Sequence, residues 1–414
     1  MDNSPTPRFV GIDLHKHFAV VAAVNAQQRL VLPPMRRIDL DEFPAWAPTH
    51  LHPTDVVVLE ATGNAWWLYD LLAPLVQRVV VANPLQVKRI VHAAVKTDKH
   101  DAIRLAKLLA ANLIPEVWVP PLHVRELRAL LAHRRALVKQ RTAVKNRLHS
   151  VLHRQQIKLP SGDPFAAHHR AWWLALDLSP TERLRLRQDL DTLEHVEKQL
   201  ADLDSELARL SNQPPWNLAM PFLIQLPGLA LLSAMTVLAA IGDITRFPTA
   251  KQLVGYAGLG TRIHDSGETS SEGHISKEGR RDLRRILIEA AWIAVNTHPY
   301  WKAEFERLCR HKPQGVAIVA IARKLLVVIW HVLTERAADH HADPVMVACK
   351  LMRWSWELTE EQRGGLTSRQ FVRYGLLRLR LGNELTTFTY GGMPRRLASV
   401  EEMLARFPDL AESS

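Results

Sequence analysis

The sequence predicts a mixed α/β unit at its N-terminal end and a mostly helical remainder. Between residues 8 and 84, short β-branched runs alternate with polar turns and one helix-like segment, the order that builds a sheet with helices laid against it. From 124 to 158, and again from 180 to 212, apolar residues return at every seventh position, and beyond 220 the apolar stretches have helix length and are punctuated by Gly and Pro. At 414 residues the chain is too long for one ordinary core, so two or three domains are expected.

Composition narrows the function classes. Apolar residues make up 47% and charged residues 23%, the balance of a globular chain, and the formal net charge of +11 points to a polyanionic partner. Nucleic acid is preferred to a membrane surface, because no amphipathic basic terminus or lipidation signal is visible. Two cysteines, Cys309 and Cys349, make neither a disulfide framework nor a zinc site. The opening "MDNSPTPRF" is polar and shows no secretory signal, so a reducing, cytoplasmic compartment is expected. The most apolar stretches, 229–241 and 315–333, are too short to span a bilayer or are interrupted by Arg323 and Lys324, and they read as core helices.

Taken in order, "RFVGIDLH" is a first strand, and "HFAVVAAVN" and "RLVLPPMRRI" follow it at hairpin spacing. "DVVVLEATG" and "RVVVANP" are later strands with the helix "NAWWLYDLLAPL" between them, in which Trp66 and Trp67 are expected to pack on the sheet. "TDKHDAIRLAKLLA" is a helix that opens on acids. Three meandering strands, a strand, a helix, a strand and an acid-bearing helix form the order of an RNase H-like domain, placed at 1–120.

Between 124 and 158 ten Arg or Lys stand against the single acid Glu126, while Leu130, Leu137, Val144 and Val151 keep the seven-residue interval. Residues 180–212 carry a second heptad through Leu186, Leu193, Leu200 and Leu207, with Val196, Leu203 and Leu210 on its other line and seven acids between Asp189 and Glu206. Complementary seams predict an antiparallel pair or a dimer zipper, a coiled-coil connector over 121–215. The basic face, with Arg134, Arg135, Arg141 and Lys145, either balances the acidic helix or lies along phosphates, and the two readings are compatible.

A third region, 216–335, opens with "IQLPGLALLSAMTVLAAIGDITRFP", helices joined by a turn whose backbone N–H groups would face a phosphate. A Gly- and Ser-rich loop, "HDSGETSSEGHISKEG", then leads into a basic helix start with Lys277, Arg280, Arg281, Arg284 and Arg285. The tail, 336–414, holds a Trp-rich helix in which Trp354 and Trp356 are read as core, and no motif that assigns it a role.

The acids carry the chemistry. Asp13 sits inside the first strand and Glu60 ends a later one, and carboxylates in β-branched runs are costly unless paired or metal-bound. Asp98 and Asp101 would ordinarily be read as first-turn acids facing a helix dipole. In the proposed topology, however, all four converge at one sheet edge, where Mg²⁺ or Mn²⁺ would relieve their repulsion. Two such ions about 4 Å apart can hold a phosphodiester and activate its attacking and leaving oxygens. Lys16, Lys96 and Lys99 would draw the polyanion in, whereas His15 and His17 read as exposed turn residues rather than ligands.

With those residues in view, "GIDLHKHFAVVAAV", "LEATGNAWWLYDLL", "VANPLQVKRIVHAAVKTDKHDAIRLAKLL" and "LPGLALLSAMTVLAAIGDITRFPTAKQLVGYAGL" resemble the DEDD-type insertion-sequence transposases related to the Piv and MooV DNA invertases, the RNA-guided bridge recombinases. The resemblance spans roughly residues 8–335. It implies a RuvC-like N-terminal domain, a coiled-coil connector and a mostly helical C-terminal transposase domain over 216–335 that supplies a nucleophilic serine. It also implies donor and target DNA and an element-encoded noncoding RNA as partners. By motif the tetrad falls on Asp13, Glu60, Asp98 and Asp101, and the serine of the family's Ser-Gly motif falls on Ser266.

From the residues alone Ser266 is a turn former, with Ser270, Ser271 and Ser276 as neighbouring hydroxyls. As a nucleophile it would form a phosphoserine link to DNA, storing phosphodiester energy without a high-energy cofactor. Where the family places glycine and basic residues after the Ser-Gly pair, "ETSSE" stands here, so Lys277, Arg280, Arg281 and Arg284 would supply the phosphate contacts. Strand exchange needs paired sites, which predicts a homodimer or homotetramer, with the acids of one subunit facing the serine of another. A junction-resolving nuclease without a covalent intermediate and a non-catalytic nucleic-acid scaffold are the competing readings.

Overall fold

The chain divides into two compact units, 1–121 and 122–414. A computed structural model describes residues 7–34, 37–90, 98–266 and 269–412, with the side chains of 262–274 and 411–412 outside the description.

The first unit runs β1 (Phe9–Leu14), β2 (Phe18–Val24), β3 (Leu30–Leu32), β4 (Ile38–Asp39), α1 (Phe43–His50), β5 (Val56–Glu60), α2 (Ala65–Leu72), β6 (Arg78–Ala82), α3 (Pro84–Ile90) and α4 (Asp98–Ala110). The strands form one sheet in the order β3-β2-β1-β5-β6, with β4 also pairing β2. β1, β2 and β3 are antiparallel neighbours, and β1, β5 and β6 are parallel. Strand alternation gives the sheet two buried faces. Val10, Ile12 and Leu14 of β1 join Leu59 of β5, Phe43 of α1 and Leu68 of α2 on one. Val58 and Val80 meet Leu105 and Leu109 of α4 on the other, beside Val20, Ala22 and Ala102. The sequence reading missed α1 and the β4 bridge. Trp66 packs against the core as expected, whereas Trp67 is 44% exposed.

Gly11 sets how closely α4 approaches the sheet. A Cβ on it would sit 2.1 Å from the Ala102 carbonyl oxygen and 2.6 Å from the Ala106 nitrogen. Helix backbone therefore lies directly on β1, and the small side chains of Ala102 and Ala106 permit it. That contact aims the first turn of α4 at the C-terminal end of β1.

The second unit begins with α5 (Leu122–Arg154), α6 (Arg170–Leu174) and α7 (Pro180–Ser211). α5 and α7 pair antiparallel, because ion pairs step up one helix and down the other: Arg134–Asp204, Lys145–Glu197, Arg147–Asp189 and Arg154–Glu182. Leu137, Val144, Val151, Leu186, Leu193, Val196, Leu200 and Leu207 are buried in the seam, Leu130 and Leu203 half-buried at its margin. Ser179 caps α7 by accepting from the Glu182 N–H.

There follow α8 (Met220–Ile224), α9 (Leu231–Ile241), α10 (Ala250–Tyr256), the antiparallel hairpin of β7 (Thr261–Ser266) and β8 (Thr269–Ile275), α11 (Arg281–Thr297), α12 (Pro299–Cys309) and α13 (Gln314–Glu335). The segment read as a Gly- and Ser-rich loop is thus a hairpin, since Thr261, Ile263, Thr269 and Ile275 supply β-branched positions on its strands. α13 is long and apolar enough to cross a membrane by length and composition, and half of its apolar window is buried within the protein.

The tail forms α14 (Pro344–Trp356), α15 (Ser368–Arg378), the hairpin of β9 (Thr387–Tyr390) and β10 (Met393–Arg396), α16 (Val400–Arg406) and α17 (Asp409–Glu412). Buried polar contacts tie it to earlier helices of the same unit. Trp354 donates its indole N–H to Ser211 at 2.8 Å, Asn212 donates to the Gln362 carbonyl, and Lys350 donates to the Leu226 carbonyl. Trp354 is core as expected, whereas Trp356 is 53% exposed and meets Tyr390 edge-on.

Candidate active site

Asp13 lies one residue from the end of β1, on the face that α4 covers, since it alternates with the buried Ile12 and shares parity with Gly11. The first turn of α4 brings Asp98 and Asp101 over it. His15, two residues further on, stands between the two: its Nε2 hydrogen-bonds Asp13 Oδ2 at 3.2 Å and lies 3.6 Å from Asp98 Oδ2. Asp13, His15 and Asp98 each offer a ligand atom, and these atoms all lie within 4.8 Å of one another.

Glu60 ends β5. The parallel register pairs Ile12 with Leu59, so its continuation sets Glu60 beside Asp13, and alternation from Val58 turns it to the same face. Asp101 lies close enough to act on Asp13 electrostatically, while its own carboxylate is held by Arg104 at 2.8 Å. The four predicted acids therefore share one corner of the unit. The tight three-residue group, however, is Asp13, His15 and Asp98, with Glu60 and Asp101 flanking it.

His15 is the residue that sequence reasoning set aside. Its ring stacks on Phe18 with centroids 4.4 Å apart, and its carbonyl accepts from the Asn64 side chain at 2.9 Å. Asn64, in the turn after β5, thereby locks the end of β1 to the end of β5, a role with no sequence signature beyond its place in "EATGN". The period-2 spacing of Asp13 and His15 was the available signal for the histidine. His17 is exposed, as read from the sequence.

Burial raises the Asp13 carboxyl above its ordinary value; His15 opposes this, and the negative fields of Asp101 and Asp98 add to the rise. Carboxylates close enough to act on Asp13, with an imidazole among them, form a donor set suited to a divalent cation. Lys16 and Lys99 are exposed nearby in sequence, and Lys96 lies outside the described residues.

In the second unit Ser266 is the last residue of β7, paired in register with Thr269, and its side chain lies outside the description, as do those of Asp265, Ser270 and Ser271. Ser276 donates its backbone N–H to the Gly260 carbonyl where β8 leaves the hairpin. The basic residues assigned to phosphates have varied surroundings. Arg134 and Lys145 pair with α7 acids, Arg280 with Asp282, and Arg284 donates to the Ala257 carbonyl. Arg135 lies 3.9 Å from Asp282. Burial would raise the Asp282 carboxyl, yet Arg280 and Arg135, with the Leu283 N–H, hold it below its ordinary value. Among the described residues, Arg141, Lys277 and Arg281 have no acidic partner.

In the turn after α9 three backbone N–H groups are already bonded. Gly242 N–H bonds the Leu238 carbonyl, Asp243 N–H the Ile241 carbonyl, and Thr245 N–H the Asp243 carboxylate. The helix end instead offers carbonyls, which Arg128 and Arg246 satisfy: Arg128 reaches those of Ala239 and Ala240 at 2.7 and 3.0 Å, and Arg246 that of Ile241 at 2.7 Å. A helix C-terminus needs such donors.

Comparison with known proteins now separates the readings. Residues 10–156, which contain all four acids, match a DEDD transposase domain of the IS110 type, and residues 220–306, which contain Ser266, match the transposase domain of the IS116/IS110/IS902 family. The chain carries IS110-family DEDD transposase domains. Across 347 residues it is 28% identical to the pilin gene-inverting protein of Moraxella bovis, covering 79% of this chain and 96% of that one. It is 28% identical over 288 residues to the transposase for insertion sequence element IS1111A of Coxiella burnetii, covering 68% and 78%. With the transposase for insertion sequence element IS1328 of Yersinia enterocolitica it shares 25% identity over 349 residues, covering 80% and 98%. With these domains and these relatives, the protein is a DNA transposase or recombinase.

Proposed function

We propose that this protein cuts and rejoins DNA strands of an insertion sequence through Ser266, with the acids of the first unit serving as a divalent-cation site. The observation that carries the reading is the gathering of Asp13, His15 and Asp98 within 4.8 Å, flanked by Glu60 and Asp101, inside the DEDD-matched region. The strand order and mixed sheet of this unit support an RNase H-like, RuvC-like domain, followed by a coiled-coil connector and a C-terminal transposase domain.

Asp13 and Asp98 would hold the cation with His15, Glu60 and Asp101 alongside; carboxylates suit Mg²⁺, and the imidazole extends the set toward Mn²⁺. Such an ion supplies Lewis-acid polarisation of a phosphodiester and lowers the pKa of a bound hydroxyl. In the covalent step Ser266 Oγ forms a bond to phosphorus as its proton passes to a base. The bond from phosphorus to one sugar oxygen breaks, and that oxygen leaves as a hydroxyl after taking up a proton. Attack by the hydroxyl of another strand reverses the step and frees the serine. Donor and target DNA are the substrates, an element-encoded RNA is the guide, and a homodimer or homotetramer in the cytoplasm is the working form.

Denaturing gels of full-length protein incubated with labelled element-end DNA and Mg²⁺ test this. A protein–DNA adduct whose linked peptide contains Ser266, lost in Ser266→Ala and in Asp13→Asn, is the expected result. Cleavage that persists in Ser266→Ala without an adduct would make the enzyme a junction-type nuclease instead.

A further inference from the structure

The second unit contains a cavity of about 520 Å³ where the ends of α13 and α15 meet the start of α8, remote in sequence from the acids and from Ser266. Its size lies within the range of small-ligand sites. Leu218, Phe222, Leu377 and Leu410 give it apolar walls, while Arg336, Arg378 and Arg380 bring three guanidinium groups against one acid, Glu335. Glu335 is taken up by His331 at 2.7 Å. Arg378 is anchored, donating to the Asn217 and Leu218 carbonyls at 2.8 Å each. Arg336 and Arg380 are exposed and have no ion pair among the described residues.

Both exposed arginines follow helix ends with left-handed backbone, each at a φ of 52°. Glycine is the favoured residue there, because a Cβ is strained in that backbone. One helix end would be served by a cation on dipole grounds alone. Arg336 and Arg380 line the same cavity as Arg378: burial lowers the hold of Arg378 on its proton, Tyr374 opposes this, and the field of Arg336 adds to the lowering. An anion with a flat apolar body would relieve both.

We infer that this cavity binds a nucleotide, its base against Phe222, Leu218 and Leu377 and its phosphate between Arg336 and Arg380. Guanidinium planes and aromatic or apolar side chains stack on unpaired bases, and a fork of arginines suits a phosphate. The nucleotide comes either from a single strand or free from solution. This site goes beyond the strand-transfer reading and requires neither the acids nor Ser266.

Full-length Arg336→Gly/Arg380→Gly protein tests it, because glycine keeps the left-handed backbone and removes only the side chains. Leu218→Glu, at a position 54% exposed, is a second variant that places an acid at the rim without touching the core. The probe is a single-stranded oligodeoxynucleotide carrying 5-iododeoxyuridine, photocrosslinked to protein in an Asp13→Asn background so that loss of strand transfer leaves the readout intact. Crosslinks to Phe222 or to peptides spanning 335–338 or 377–380 are expected. Both variants should lose them, and the slope of log affinity against log salt should fall by about 0.7 in the double-glycine protein, for one phosphate neutralised on a single strand. Displacement of the oligonucleotide by thymidine monophosphate identifies the free nucleotide as the source, and its failure identifies the strand. Crosslinks that map elsewhere, with an unchanged salt slope, overturn the proposal.

Discussion

Asp13 is the residue on which the acid site turns. Its carboxyl, raised by burial and by Asp101 and Asp98, has more to gain from a cation than an exposed acid would. Thermal melts with and without Mn²⁺ should show a metal-dependent rise in the wild type that Asp13→Asn lacks. A second buried charge makes a separate prediction. Burial lowers Lys350 to about 7, and its ammonium has the Leu226 carbonyl as partner. The folded state sheds this proton near pH 7, whereas the unfolded state keeps it until about 10.5. In that window the unfolded chain binds more protons, so stability rises with pH between 7 and 10.5, and below 7 the full cost of burying the ammonium is felt. Relative to Lys350→Met, the wild type should gain stability from pH 7 to pH 9, a difference on the order of 2 kcal/mol; parallel melting curves across those pH values would contradict the assignment. Asp13 was legible in the sequence because a carboxylate inside an apolar strand demands a partner. Lys350 was not, because nothing in "VACKLMRW" shows that its helix turns that side chain inward.

At the scale of elements, the seat of α4 on β1 depends on Gly11. Gly11→Ala would drive a methyl into the Ala102 carbonyl, 2.1 Å away, and lift the first turn of α4 from Asp13. A loss of about 3 kcal/mol or more is expected, because helix backbone cannot yield as a flexible side chain would, together with loss of Mn²⁺ stabilisation. A variant that melts and binds metal like the wild type would show that α4 does not position Asp98. The α5–α7 hairpin makes the complementary case. Leu193→Ala removes a buried seam residue and should cost about 2–5 kcal/mol, read by chemical denaturation. Alanine at Arg134, in an ion pair whose Asp204 carboxylate is half-exposed, should cost no more than about 1 kcal/mol. The heptads were readable because a seven-residue interval has one structural meaning over four turns or more. The β7–β8 hairpin was not, because Gly and Ser dominate its sequence and the pairing of Thr261 with Ile275 is a tertiary fact.

For the whole molecule, the order of strands and helices in the first unit was predictable, since a chain of β-branched runs has few ways to bury two faces. The tail was opaque. Its attachment runs through single side chains, Trp354 to Ser211 and Lys350 to Leu226, which no periodicity announces. It is part of the second unit, so removing residues after 335 should expose the face of α8 and the end of α7 that it covers and yield aggregated or strongly destabilised protein by size-exclusion chromatography and melting. A truncated chain that stays monodisperse with an unchanged melt would make the tail a detachable appendage. Everything proposed for the reaction depends on the acid corner holding a divalent ion. The most direct measurement is the anomalous difference signal of Mn²⁺ in crystals of the full-length protein. A peak within bonding distance of Asp13 and Asp98, absent in Asp13→Asn, is the predicted result; Mn²⁺-loaded crystals with no peak there, from protein that still joins DNA strands, would contradict the account.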